Sequence, residues 1–90
     1  MKDINIFINE RQMGGEWQTE KNDKFKCVFL AFDKPSEQYG INGGKISKLW
    51  IKDLTSGKEV ANYDRGWDEE IDKDNKELID FYNNILKKYN

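Results

Sequence analysis

Polar and apolar positions alternate strictly from Asp3 to Asn9, with Ile4, Ile6 and Ile8 on one face and Asn5, Phe7 and Asn9 on the other, which predicts a half-buried strand. Glu10 to Gly15 is polar and ends in a glycine pair, the chemistry of a turn. Glu16 to Glu20 alternates again around Trp17 and Thr19, and Lys21-Asn22-Asp23-Lys24 joins it to the next strand as a tight hairpin. Phe25 to Phe32 is the most apolar run: Phe25, Cys27, Phe29 and Ala31 face one way and Val28, Leu30 and Phe32 the other, as in a strand covered on both faces. Asp33-Lys34-Pro35-Ser36 stops it, because proline cannot donate to a ladder. Ile46 to Leu54 follows as a strand with Leu49 and Ile51 toward the core and Ile46, Lys48, Trp50 and Lys52 opposite. Beyond the turn at Thr55-Ser56-Gly57-Lys58, Glu59 to Arg65 forms another strand, interrupted by Gly66.

The period changes after Asp72. Leu78, Tyr82, Ile85 and Tyr89 line one helical stripe, widened by Ile79, Phe81 and Leu86, which predicts an amphipathic helix over Asp72 to Asn90. Asp74 and Glu77 have the spacing of a capping box, and Lys87 and Lys88 sit where the helix dipole favours cations. Five strands and then a helix, with no repeat or linker, predict a single α+β domain over 1–90: an antiparallel five-stranded β-meander with the C-terminal helix packed across it.

Composition narrows the function classes. Ninety residues hold one core, and 37% apolar with 13% aromatic residues makes that core small and ring-rich. Fifteen Lys and Arg against 17 Asp and Glu, scattered along the chain, argue against direct nucleic-acid binding, which needs clustered cations. Cys27 is the only cysteine, so no internal disulfide forms, and the absence of histidine removes the commonest general base and metal ligand. No apolar run is long enough for a signal peptide or a membrane span, so the expected location is the cytoplasm.

Two stretches concentrate chemistry. Tyr39 to Lys45 carries three glycines, and Asn42, Gly43, Gly44, Lys45, Ser47 and Lys48 could offer amides, a hydroxyl and ammonium groups to a phosphate or carboxylate. It is not a Walker loop, since the spacing differs and no helix follows; the plain reading is a wide turn with positive φ. Tyr63, Asp64, Arg65, Trp67 and Asp68 pack two rings, two carboxylates and a guanidinium into six residues, suited to gripping an anion and stacking on a ring or to anchoring a protein interface. The plain reading there is a core-finishing pair of rings with Arg65 paired to Asp64 or Asp68. The acidic run Asp68, Glu69, Glu70 and Asp72 reads as a solvated helix entry, not as a metal site.

Gly40 to Leu49 (GINGGKISKL) together with Tyr63 to Asp68 (YDRGWD) resembles the signature stretches of a family of small uncharacterised proteins from Firmicutes and their phages or prophages. The resemblance covers about Phe25 to Asp68 and implies a phage-associated protein of the host cytoplasm; it carries no activity to any residue. Small phage proteins of this kind are often antagonists of host defence. The expected function is therefore a non-enzymatic, cofactor-free inhibitor of a host antiviral defence protein, anti-CRISPR-like, acting by protein contact. The alternative is a binder that sequesters a nucleotide second messenger between the glycine-rich loop and the Tyr63 to Trp67 stretch, possible as a homodimer because one small sheet offers little concavity. Both readings require the two stretches to be neighbours in space.

Overall fold

Strand β2 (Phe25–Phe32) is the most apolar segment and takes an interior place in the sheet, where both of its edges are hydrogen-bonded. The computed structural model describes residues 15–90. Around β2 lie β1 (Gly15–Lys21), β3 (Ile46–Asp53), β4 (Glu59–Asp64) and β5 (Trp67–Glu69), followed by helix α1 (Lys76–Tyr89). The five strands are antiparallel in the order β1-β2-β3-β4-β5, so each connection is to a neighbour and the meander with one C-terminal helix is the fold. The expected strand Asp3 to Asn9 lies outside the described residues. The fifth strand of the described sheet is instead β5: Arg65 and Gly66 turn the chain, so the strand that Gly66 was expected to end is continued by a hairpin.

Local chemistry explains the turns. The Asn22 side chain accepts hydrogen bonds from the Lys24 and Phe25 amides at 2.8 and 2.7 Å, closing the β1–β2 hairpin as its turn residues predicted. Asp53 Oδ1 does the same for the Thr55 amide at 2.8 Å, and Gly57 completes that turn at φ 76°.

The core fills one face of the sheet. Phe25, Cys27, Phe29, Leu49, Ile51, Ala61 and Tyr63 meet Leu78, Phe81 and Ile85 from α1. The helix crosses from the β1–β2 turn, where Phe81 stacks on Phe25 at 5.6 Å, to the far end, where Tyr89 tilts over Phe29 at 4.8 Å. Fully burying a side chain such as Phe29 stabilises the fold by about 1.5–3 kcal/mol. Tyr89 Oη donates to Glu20 at 2.6 Å, and ion pairs Lys24–Glu77 and Lys88–Glu20 tie both helix ends to the β1–β2 hairpin.

Two details depart from the sequence reading. The helix begins at Lys76, and Asn75, not Asp74, is its cap: Asn75 Oδ1 accepts from the Leu78 amide at 3.1 Å. The Asp74 amide is spent on Asp72 Oδ1, so Asp74 belongs to the turn before the helix. Second, Ile46 faces the core and is 0% exposed, although unbroken alternation places it with Lys48 on the opposite face. The pairing shifts between Leu30 and Ala31, from Lys48 to Ile46, so Ser47 is an extra residue in a bulge that reverses the alternation.

Candidate functional site

The two chemistry-bearing stretches are adjacent. Tyr63 Oη donates to the Tyr39 carbonyl at 3.0 Å, the Arg65 amide donates to the Ser47 carbonyl at 3.0 Å, and Lys48 is the register partner of Asp64. Their side chains, however, divide among three roles.

The first group is structural. Ile41, 1% exposed, plugs the end of the core, and the chain after it returns through a 3-10 turn over Ile41–Gly43 in which Asn42 and Gly43 have φ of 53° and 72°. The Asn90 side chain seals this loop, accepting from the Ile46 amide and donating to the Ile41 carbonyl, each at 3.0 Å. A Cβ at Gly44 would lie 2.3 Å from that side chain, and one at Gly40 would lie 1.9 Å from the Gly44 carbonyl oxygen. These two glycines therefore permit close packing. The amides of Tyr39, Gly40, Gly43, Gly44 and Ile46 all donate within the protein, which leaves the loop no converging set of amides for an anion. Ser47 is buried in the bulge, and Lys45 projects to solvent while its carbonyl accepts from the Phe32 amide. Tyr63 is a core ring, and half-buried Trp67 stands edge-on between Tyr63 at 5.0 Å and Tyr82 of α1 at 5.9 Å. Burial raises the Tyr63 hydroxyl above its ordinary pKa and pushes that of Tyr82 to about 12.

The second group is exposed. Tyr39 is 48% exposed, and the Arg65 guanidinium lies over its ring at 5.5 Å. Arg65 holds φ 61°, a left-handed conformation that is uncommon for any residue except glycine, asparagine and aspartate. Among the described residues no carboxylate lies within ion-pair distance of Arg65, so the expected pairing with Asp64 or Asp68 is replaced by the tyrosine ring. Asp68 is exposed on β5.

The third group faces away from the helix. Lys48 and Asp64 join Trp17, Val28, Trp50 and Asn62 around a shallow depression of about 330 Å³. The alternation places Trp50 with Lys48 on the strand face opposite Leu49 and Ile51, but only the strand register brings it together with Trp17, Val28 and Asn62. Cys27 is fully buried and burial pushes its thiol up to about 12, leaving no thiolate for nucleophilic chemistry near neutral pH. Among the described residues no three Cys, Asp or Glu side chains converge to hold a metal ion, and no helix is long and apolar enough to cross a membrane.

Residues 12–90 match the family described as Domain of unknown function (DUF7678). The chain belongs to this family. The match extends beyond the Phe25 to Asp68 region of the resemblance and takes in β1 and α1, so the DUF7678 domain comprises the whole described sheet and its helix. No curated protein and no solved structure matches the chain.

Proposed function

We propose that this DUF7678 chain is a non-enzymatic, phage-associated binding protein that acts in the host cytoplasm by occupying the surface of an antiviral defence component, such as a CRISPR effector. The Tyr39–Arg65 pair carries the binding reading. An arginine in the left-handed region costs about 1 kcal/mol or more, and such strain concentrates at functional positions. Here it aims a guanidinium, free of any described carboxylate, over an exposed ring. Tyrosine and arginine are the residues that most often anchor protein interfaces. The defence target draws on the likeness of Gly40–Leu49 and Tyr63–Asp68 to phage proteins. The nucleotide alternative is less well supported, because its phosphate ligands would be the loop amides that already donate internally.

The test is capture from lysates of a defence-bearing bacterium, paired with phage plating on cells expressing the protein. The wild type should capture a defence protein and relieve restriction, and Tyr39→Ala and Arg65→Ala should lose both effects with unchanged melting temperature. Capture and relief that survive both substitutions would overturn the assignment to this pair. A nucleotide that raises stability by about 2.7 kcal/mol at 100 Kd would replace the reading altogether.

A further inference from the structure

The strand register gathers side chains that the sequence scatters. On the sheet face opposite α1, Lys21 is the partner of Lys26 and Lys26 the partner of Lys52, so three lysines stand side by side across β1, β2 and β3. Directly paired positions lie about 5 Å apart, and like charges placed opposite each other destabilise a sheet. Among the described residues none of the three has a carboxylate within ion-pair distance. Glu59, in register with Lys52 on β4, has its carboxylate hydrogen-bonded to Asn62 Nδ2 at 3.2 Å. One row along, Val28 and Trp50 are partners on the same face, with Trp50 half-buried beside the depression. Trp17, Leu30 and Lys48 form the row beyond, where Leu30 is 1% exposed, so the platform consists of the lysine row and the Val28–Trp50 row.

We propose that this face binds single-stranded nucleic acid: the lysine ladder takes the phosphate backbone and Trp50 stacks on a base. The two requirements of such a platform are a cationic track and an aromatic ring on which a base of any identity can lie. The sheet supplies both on one side; the carboxylates of that face, Glu59, Asp64 and Glu69, stand on β4 and β5 in register with Lys52, Lys48 and Asn62, so the cationic track is confined to the β1–β3 side. Phosphates lying along Lys21, Lys26 and Lys52 would also relieve the repulsion that the unliganded ladder carries. This surface is separate from the Tyr39–Arg65 pair.

The experiment is a fluorescence-anisotropy titration of a short labelled oligothymidylate with the full chain over a range of salt concentrations, repeated with a labelled duplex of the same length. Three phosphate contacts give a slope of about −2 in log K against log salt, roughly a 16-fold loss of affinity for a fourfold rise in salt. Lys26→Gln with Lys52→Gln should flatten that slope by more than half and leave the melting temperature unchanged or higher, because repulsion is removed. Trp50→Ala should weaken binding about 5- to 100-fold, and Trp50→Phe much less. The proposal is overturned by an absence of binding, by lysine variants that bind as the wild type does, or by equal affinity for duplex. Displacement of the oligonucleotide by polyglutamate at equal charge concentration would overturn it too, and would assign the face to an acidic protein segment.

Discussion

The contact between Asn90 and the glycine-rich loop permits a sharp test, because one side chain accounts both for the loop's closure and for the glycine at position 44. Asn90→Ala removes two hydrogen bonds of 3.0 Å. The Ile41 carbonyl keeps the Gly44 amide as a partner, so that loss is an ordinary net bond of about 1 kcal/mol. The Ile46 amide belongs to a residue with no exposed surface, and leaving it without that acceptor costs about 1–2 kcal/mol more. The expected total, about 2–3 kcal/mol, lowers the melting temperature by roughly 10–20 °C in a domain of this size. Gly44 has φ −96° and ψ −157°, extended backbone open to any residue, so Gly44→Ala carries no backbone strain. Its Cβ would instead lie 2.3 Å from the Asn90 side chain and displace it, forfeiting the same two bonds. In the Asn90→Ala background that obstruction is gone, and the lost flexibility of the unfolded chain makes the same substitution neutral or stabilising by about 0.4–1 kcal/mol. Urea denaturation of the four proteins, followed by tryptophan fluorescence, should therefore yield a coupling energy of about 2–3 kcal/mol. Equal costs for Gly44→Ala in the two backgrounds would refute the reasoning. Gly40→Ala is the control: its Cβ would meet the Gly44 and Ser36 carbonyl oxygens at 1.9 and 2.8 Å, backbone atoms that Asn90→Ala does not move, so it should destabilise in both.

Arg65→Asn should raise stability by about 0.5–1 kcal/mol, since asparagine tolerates the left-handed φ of 61°, while abolishing partner capture; a fall in the urea midpoint would remove the argument from strain. Alkaline pH should destabilise the protein in a defined window. Burial raises Cys27 from 9.0 and Tyr82 from 10.0, each to about 12, so between those values the unfolded chain loses protons that the folded chain retains. Their contribution is therefore complete below about pH 9 and falls as pH rises toward 12. Tyr82→Phe should flatten the decline above pH 10 in urea midpoints, and an unchanged slope would count against the burial argument.

Periodicity served the fold well where burial is one-sided and the ladder is regular. The apolar run Phe25 to Phe32, the hairpin chemistry of Asn22 and the stripe from Leu78 to Tyr89 each appear as the pattern predicted. It failed at Ser47, because one inserted residue puts Ile46, before the bulge, on the face opposite to the one that the alternation after it implies, and leaves no signature in the local pattern. It also missed β5, since three residues are too few to show a period. The candidate site was half legible. The neighbourhood of the two stretches follows from the meander, but the sequence leaves the loop open between an anion cradle and a plain wide turn, and the close contacts of Gly40 with Gly44 and Ser36 and of Gly44 with Asn90 have no local signature.

The amino-acid order alone determined which segments extend, which coil and where they turn, because these depend on residues within a few positions of each other. Only the tertiary structure decided what stands beside what: Asn90 in the loop, Arg65 over Tyr39, and Lys21, Lys26 and Lys52 in one row. Register and packing join positions that are distant in the chain, and the energy of those meetings is not written in any single segment.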